Sequence, residues 1–330
     1  MISDDTVLVT GATGFIGRAL CPALLARGLK VRATTRHLAR MTGNGREEWV
    51  EADLLRPETL APALEGVDAA YYLVHSMGDR GEDFRERECR SAESFANAAA
   101  RAGLKRLVYL GGVAPRGTPS RHLASRLEVG EILRAGPVPT VELRASMIIG
   151  PGSTSWRICR DLALRLPAMV LPSWMRSRTC PIALEDVVRA LVDALELPLE
   201  HGEWFDLPGP EVLSGQEILE RIAALRGLRT LMVHFPVLTP RLSSLWLKLV
   251  TSADYTVARE LVEGLTQDLL PRDARYFALT HHPPRVPFDE AARRALAAEE
   301  THAARRHDFA AWEERWVARL GPHLRRPAGG

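Results

Sequence analysis

The chain has 330 residues, of which 46% are hydrophobic and 25% charged, and its formal net charge is +2. These values are ordinary for a soluble globular protein, and a charge this close to zero argues against a dedicated nucleic-acid binder. The four cysteines are scattered and form no Cys-x-x-Cys pair, so we expect neither a disulfide scaffold nor a metal site. With no apolar stretch of about 20 residues and no room for a signal peptide, we expect a cytoplasmic protein without a transmembrane segment.

The first predicted element is a short buried strand over residues 6–10, and a glycine-rich turn follows it directly. Gly11, Gly14 and Gly17 are spaced by three, and an apolar stretch with helical periodicity runs from residue 15 to 25. Glycine permits the sharp turn and lets the backbone approach a pyrophosphate closely. The start of the helix offers N–H groups and the positive end of its dipole, so the strand–turn–helix order predicts a dinucleotide site.

Strand and helix patterns then alternate, which predicts an α/β fold with a doubly wound parallel sheet of the Rossmann type. The further predicted strands cover residues 30–34, 48–52, 67–74, 104–110 and 138–144, and the further predicted helices cover 57–64, 83–102 and 120–135. We expect Gly111 and Gly112 to end the strand that precedes them.

After Gly150-Pro151-Gly152 prolines and tryptophans become frequent, which indicates a smaller, mostly helical C-terminal lobe that binds the substrate. We expect residues 179–183 to return to the main sheet and residues 184–197 to form a helix. The predicted division places an NAD(P)-binding Rossmann domain with part of the substrate lobe in residues 1–230. A C-terminal helical segment of unknown function then covers residues 231–330.

Two later segments carry apolar stripes at helical spacing. Residues 241–250 would form either a helix packed on the core or an apolar lid that contacts a hydrophobic ligand or a membrane surface. We expect this segment and residues 171–178 to flank the cofactor cleft. The second stripe contains Phe309, Trp312, Trp316 and Leu320, and it fits either docking on the same chain or an oligomer contact. A monomer and a homodimer are both compatible with this pattern.

Together these motifs resemble the short-chain dehydrogenase/reductase superfamily, and within it the atypical, NmrA-like and epimerase-like members. The resemblance covers about residues 5–270 and rests on the glycine spacing, on Asp53 after the third strand, and on segments 100–109 and 144–151. Residues 71–78, Tyr-Tyr-Leu-Val-His-Ser-Met-Gly, resemble one bacterial subgroup. Residues 235–244 are similar to the start of that subgroup's C-terminal segment of unknown function.

The resemblance implies a nicotinamide dinucleotide cofactor and assigns residues to its parts. It places Gly11, Thr13, Phe15 and Ile16, beside the motif glycines Gly14 and Gly17, at the pyrophosphate, Asp53 and Leu54 at the adenine, and Leu73, Val74 and His75 along the ribose and nicotinamide. Arg36 corresponds to the position of the 2′-phosphate.

The sequence around Arg36 supports that last assignment. No acidic residue follows the second strand until Glu47, whereas an NAD site would offer a carboxylate to the ribose hydroxyls. Arginine suits a phosphate dianion, which a carboxylate would repel. We therefore predict that NADP(H) is preferred and that NAD(H) is also accepted; a solvated surface arginine is the alternative.

The chain departs from the superfamily at its usual proton donor, a Tyr-x-x-x-Lys pair. None of the five tyrosines has a lysine four positions later. His122 and Arg126 stand at the matching helix positions, and Gly111-Gly112 replace the usual serine. The ordinary mechanism is therefore absent in its usual form.

Two classes of function remain open. In the first, the chain is an oxidoreductase acting on a small hydrophobic carbonyl, enone or quinone-like substrate. His122 or His75, with a pKa near the unperturbed value of about 6.5, would then be the general acid, and Arg126 would fix the ribose or polarise the carbonyl. In the second, the chain binds NADP(H) without turnover, as a redox sensor or assembly factor of the NmrA-like type.

Overall fold

The computed structural model describes residues 5–41, 45–75, 84–166, 168–228, 231–235 and 266–305. Its strands are β1 (Thr6–Val9), β2 (Lys30–Thr35), β3 (Glu48–Glu51), β4 (Ala69–Tyr72), β5 (Arg106–Gly112), β6 (Thr140–Ala145), β7 (Ile148–Ile149), β8 (Ala168–Pro172), β9 (Arg178–Thr179), β10 (Ile182–Ala183), β11 (Glu203–Asp206), β12 (Leu213–Ser214) and β13 (Leu231–Phe235). Its α-helices are α1 (Phe15–Ala26), α2 (Leu60–Leu64), α3 (Phe84–Arg101), α4 (Arg121–Ala135), α5 (Thr154–Arg165), α6 (Leu184–Asp193), α7 (Gly215–Ala224), α8 (Arg275–Thr280) and α9 (Phe288–Arg305).

Seven strands form the main sheet in the order β11-β6-β5-β4-β1-β2-β3, and every neighbouring pair is parallel. In β1, Val7 pairs with Val31 of β2 on one side and with Ala69 of β4 on the other. The strand order reverses between β1 and β4, and open α/β sheets bind ligands in the crevice at such a point. The predicted doubly wound Rossmann sheet is confirmed, and its glycine-rich turn follows β1 at this crevice.

Helices cover both faces of this sheet, and the side chains of β1 alternate between them. Val7 and Val9 belong to the apolar core that contains residues of α1 and α6, whereas Leu8 belongs to the core that contains residues of α3 and α4. All four residues of β4 are buried. Strands buried on both faces are nearly continuous in apolar residues, which is why the sequence pattern identified them.

Two details of the predicted sheet are wrong. Gly111 and Gly112 do not end β5 but pair with Arg144 and Ala145 of β6. They are glycines for another reason than a strand end, since side chains of neighbouring elements occupy the space that a Cβ atom would take. Residues 179–183 do not join the main sheet: β9 pairs with β12, and β10 pairs with β7. The seventh strand is instead β11, whose four residues Glu-Trp-Phe-Asp alternate too briefly to stand out in a proline-rich segment.

The C-terminal region is mostly helical, as predicted, and it has an apolar core of its own. Trp156 of α5, Ile222 of α7 and Phe288 of α9 are fully buried in it. The predicted helix over residues 184–197 ends at Asp193. Tyr276 of α8 belongs to the core that contains residues of α1 and α6. The described part of the C-terminal segment therefore contributes to that core as well as to its own.

Some sequence predictions lie outside the described residues. These are the stripe over residues 241–250, the stripe from Phe309 to Leu320 and the last three residues of the 71–78 signature. Within the ranges given above, no helix is both long enough and apolar enough to cross a membrane. The same ranges contain no group of three or more His, Cys, Asp or Glu side chains arranged to hold a metal ion.

Candidate functional site

The glycine-rich turn brings the backbone after β1 against the end of β4. Gly11 has a φ of +66°, and a Cβ atom there would lie 2.7 Å from the carbonyl oxygen of Leu73. A Cβ atom on Gly17 would lie 2.5 Å from the Cα atom of Ala12. Real Cβ atoms do not approach backbone atoms so closely, so both positions require glycine, for backbone reasons that hold with or without a cofactor.

Gly14 differs from the other two glycines because it is exposed and leaves the start of α1 open. It is the N-cap residue of the helix, no side chain caps it, and the first turn contains no acidic residue. The first N–H groups of a helix have no partner within the helix, and together with the helix dipole they favour an anion. The turn therefore fits a dinucleotide pyrophosphate.

A cavity of about 400 Å³ begins at this turn and extends to the C-terminal lobe. On the side of the main sheet it is lined by Gly11, Gly14, Phe15, Ile16, Gly17, Leu73, Val74 and His75 together with His122 and Arg126 of α4. On the side of the lobe it is lined chiefly by apolar residues, among them Ile158, Leu162, Leu171, Met175, Ile218 and Leu219. Residues 171–178 flank the cleft as predicted.

Thr13, predicted for the pyrophosphate, and the residues predicted for the adenosine half are not among those that line this cavity. Thr13 and Arg36 are exposed, and Leu54 is buried. The Asp53 carboxylate accepts a hydrogen bond from the backbone N–H of Leu55 at 3.1 Å, which stabilises its own turn. Since β1, β2 and β3 are parallel neighbours, the residues that follow them lie at one edge of the sheet. Their roles toward the cofactor stay predictions.

The two predicted histidines lie in contact, although 47 positions separate them. His75 follows β4, and its Nε2 atom is 3.0 Å from Nε2 of His122 in the first turn of α4. Behind them, Oε2 of Glu88 lies 3.3 Å from the Nδ1 atom of His75. The ring of Phe84 stacks on that of His122, with ring centroids 6.5 Å apart.

The surroundings of both imidazoles favour the neutral ring. Burial lowers the pKa of His75, even though Glu88 acts in the opposite direction. Burial, with His75 and the positive charge of Arg126 adding to it, lowers the pKa of His122 to about 2. The expectation of a pKa near 6.5 is therefore wrong for His122, because the sequence alone does not reveal burial.

Comparison with known proteins agrees with this geometry. Residues 11–145 match a family model described as NAD(P)H-binding. The ceramide reductase of Caulobacter vibrioides is 29% identical over 196 residues, which cover 58% of this chain and 62% of that protein. Cinnamoyl-CoA reductase 1 of Petunia hybrida is 33% identical over 117 residues, which cover 33% of this chain and 35% of that protein. The chain thus spans about a third of the length of the curated relatives it matches first.

The fold of most of the chain is also similar to that of solved structures. MoeE5 in complex with UDP-glucuronic acid and NAD matches with a TM-score of 0.69 at 17% identity, covering 90% of this chain and 99% of that one. The described residues thus share the Rossmann-type fold of the solved structures, and residues 11–145 match the NAD(P)H-binding family. The cofactor of this chain is NAD(P), as the matched family and the glycine-rich turn agree.

At the place where the superfamily that the sequence resembles carries a serine, the end of β5 is crowded. A Cβ atom on Gly111 would lie 2.8 Å from Oε1 of Glu142, and one on Gly112 would lie 2.7 Å from Cδ1 of Leu123. Arg126, at the position of the superfamily's lysine, lines the cavity and donates a hydrogen bond of 2.7 Å to the carbonyl oxygen of Leu110. The structure thus brings His75, His122 and Arg126 to one cavity, and the last two stand where the superfamily that the sequence resembles carries tyrosine and lysine.

Sequence reasoning missed Glu88, although a signal for it exists. The buried face of α3 contains Phe84, Ser91, Ala92 and Phe95, and Glu88 lies on the same face with only 4% of its surface exposed. A glutamate at a position of the apolar face is rarely buried unless it has a partner. That mismatch between residue type and helical position indicates a partner across the helix interface.

Proposed function

We propose that this chain is an NADP(H)-dependent oxidoreductase that reduces a small hydrophobic carbonyl, enone or quinone-like substrate. One observation carries the proposal: a single cavity is lined by the glycine-rich turn, by His75, His122 and Arg126, and by the apolar residues of the lobe. A cofactor, a source of positive charge and an apolar substrate would therefore meet in one space.

The turn after β1 and the residues after β4 would hold the cofactor, with Leu73, Val74 and His75 beside its nicotinamide half. When bound, the dinucleotide supplies the hydride. The exposed Arg36 would pair with a 2′-phosphate, because phosphate and guanidinium form charge-assisted hydrogen bonds. This pairing supports a preference for NADP(H) over NAD(H).

Reduction of a carbonyl leaves an electron pair on its oxygen, which needs positive charge and a proton. Arg126 offers a charge that persists at every working pH, so we assign it the polarisation of the carbonyl. His122 would donate the proton as a neutral imidazole, and a neutral donor needs no prior ionisation of the buried ring. These roles also fit an enone, whose β-carbon receives the hydride.

The lobe supports an apolar substrate, because aliphatic side chains and a methionine dominate its part of the cavity. The names of several curated relatives refer to compounds that contain an apolar group: ceramide, cinnamoyl-CoA and 3 beta-hydroxysteroid. A small ligand with an apolar body and one reducible oxygen fits this combination.

The test is NADPH consumption with a panel of quinones, enones and aldehydes, beside titration of NADPH binding. We expect His122→Ala to lower the rate about 100-fold and leave NADPH affinity nearly unchanged. His201→Ala, at an exposed loop histidine, is the matched control and should behave as the unmodified protein. Since the pKa of His122 is lowered to about 2, the plot of rate against pH should show no titration step of this histidine between pH 6 and 7. Tight NADPH binding without turnover on any compound would instead favour the sensor or assembly function.

A further inference from the structure

Two parts of the chain meet at one edge of the cavity. One is the loop of residues 113–120, between β5 and α4, and the other is the segment of residues 266–269. Ser120 of the loop lines the cavity, as do Gln267 and Leu269 of the segment. Whether the cavity is closed at this edge therefore depends on how the loop and the segment are joined.

The segment is fixed to strand β9. The backbone N–H of Leu269 donates a hydrogen bond of 2.8 Å to the carbonyl oxygen of Arg178, and Leu269 forms a parallel bridge with Thr179. Asp268 accepts hydrogen bonds from the backbone N–H of Arg178 at 2.7 Å and from its Nη2 atom at 2.8 Å. Backbone pairing and an ion pair thus hold the segment, so the Gln267 side chain extends from a fixed base.

The Gln267 side chain crosses from this base to the loop. Its Nε2 atom donates a hydrogen bond of 2.7 Å to the carbonyl oxygen of Thr118. A Cβ atom on Gly117 would collide with Oε1 of Gln267, so the amide lies directly against the backbone there. Gly117 and Thr118 are exposed and are not among the residues that line the cavity. The Gln267 side chain therefore has the cavity on one side and the exposed loop on the other.

We propose that Gln267 determines the length of the substrate, because its side chain closes the cavity between the 266–269 segment and the loop before α4. In this role Gln267 is a specificity-determining residue: it limits the space for the apolar body of the substrate and takes no part in proton transfer. The inference rests on the proposed reduction, which assigns the apolar part of the cavity to the substrate.

A shorter side chain at position 267 would open this edge. Alanine ends at Cβ and cannot reach Thr118. Because the loop residues behind the amide are exposed, the change would connect the cavity with solvent instead of leaving a closed void. A longer apolar chain could then extend along the opening and bury more of its surface. Each methylene group buried in this way increases affinity about fourfold.

The first experiment measures the length limit without turnover. Straight-chain primary alcohols from 1-butanol to 1-decanol are titrated calorimetrically into the protein saturated with NADP⁺. In the unmodified protein we expect affinity to rise with each methylene up to a limiting length and then to level off. In Gln267→Ala the rise should continue for about two more methylenes, roughly 15-fold in affinity. Gln216→Ala, at the other glutamine of the chain and outside the cavity lining, should keep the original limit.

A second variant opens the same edge without changing Gln267. An added Cβ atom at position 117 would meet first the amide at the flexible end of Gln267, so Gly117→Ala should displace that amide at little cost to folding. We expect it to extend the length limit as Gln267→Ala does. In the double variant the limit should be that of Gln267→Ala alone, because both changes remove one contact. An unchanged limit in Gln267→Ala, or additive shifts in the double variant, would overturn the proposal.

The second experiment is turnover of straight-chain aldehydes of the same lengths with NADPH. For aldehydes beyond the original limit, we expect Gln267→Ala to raise kcat/KM roughly 15-fold, with butanal changed by no more than about twofold. An equal loss of rate at every length would overturn the role of Gln267 and leave the proposed reduction standing. An extended limit for the alcohols in a protein that reduces no compound would overturn the proposed reduction instead, which keeps the two failures apart.

Discussion

The wall of the cavity on the side of the main sheet and the wall on the side of the lobe are lined by different types of residue. The first combines the backbone of the glycine-rich turn and several apolar side chains with two histidines and an arginine, whereas apolar side chains form most of the second. The first wall is suited to a common cofactor and to proton transfer, and neither depends on the body of the substrate. The second wall offers mainly contact area, so the choice of substrate resides there. Changes in the first wall should therefore affect every substrate alike, and changes in the second should separate one substrate from another.

The largest effect is expected from Gly11→Ala in the first wall. A non-glycine residue at positive φ costs about 1–2 kcal/mol, and Gly11 adds a collision with the Leu73 carbonyl. Gly103 has a φ of +72° with nothing within 4 Å of a Cβ atom, so Gly103→Ala is the matched control for the backbone cost alone. We expect Gly11→Ala to lose NADPH binding and to unfold at clearly lower urea concentration than Gly103→Ala. Equal unfolding midpoints would show that the collision is relieved.

Arg36→Ala should affect one cofactor only. Hydrogen bonds to a charged group contribute about 1.5–3 kcal/mol, so NADPH affinity should fall roughly 10- to 150-fold while NADH affinity changes little. Arg101→Ala removes an exposed arginine at the end of α3 and serves as the control. Titrations of the unmodified protein that give equal affinity for both cofactors would refute the NADP(H) preference.

The histidine pair should make stability depend on pH. The pKa of His122 is lowered to about 2, below its value of about 6.5 in the unfolded chain. The unfolded chain therefore takes up a proton as pH falls through 6.5 while the folded chain does not, and the free energy of unfolding decreases. Between pH 7 and 5 this amounts to about 2 kcal/mol. His122→Asn should flatten the decrease and His201→Asn should not, as urea unfolding at both pH values would measure; identical slopes would contradict the low pKa.

The smallest effect is expected in the second wall, where Ile158→Ala removes part of an aliphatic side chain from the cavity. A contact loss of about 1 kcal/mol raises KM roughly fivefold with kcat unchanged, because ground state and transition state lose it equally. Ile132→Ala, on α4 away from the cavity, is the control. The effect should grow with the apolar length of the substrate. If KM rose equally for short and long substrates, the hypothesis that the lobe determines substrate specificity would be refuted.

The two walls also differ in how far the sequence predicts them. The glycine-rich turn was predictable because its constraints are local: Gly11, Gly14 and Gly17 follow a strand and open a helix within twelve residues of chain. The parallel sheet was predictable because the alternation of strands and long helices is also a local pattern in the sequence. By contrast, β11 has only four residues and owes its place to pairing with β6. Short strands take their position from tertiary contacts that no local pattern reports.

At the candidate site, motif position identified His75, His122 and Arg126, but not their state. Contact between His75 and His122 joins residues from two elements, and the lowered pKa follows from that contact and from burial. Glu88 was missed because a charged residue on a helix is ordinarily exposed, and only the fold places it beneath His75. Residue types are visible in a sequence, whereas the partners that set their protonation are not.

The crowded end of β5 limits how this protein could be re-engineered toward the usual chemistry of the superfamily that its sequence resembles. Changing His122 to tyrosine and Arg126 to lysine would recreate the familiar pair, yet the serine that accompanies it would still have to enter the crowded end of β5. Serine at position 112 would displace only the flexible end of Leu123. Serine at position 111 would meet Glu142, which Arg134 and Arg144 each hold at 2.8 Å. That chemistry therefore needs at least three coordinated changes. A protein in which only His122 or only Arg126 is changed would have neither the tyrosine and lysine together nor the original histidine and arginine together.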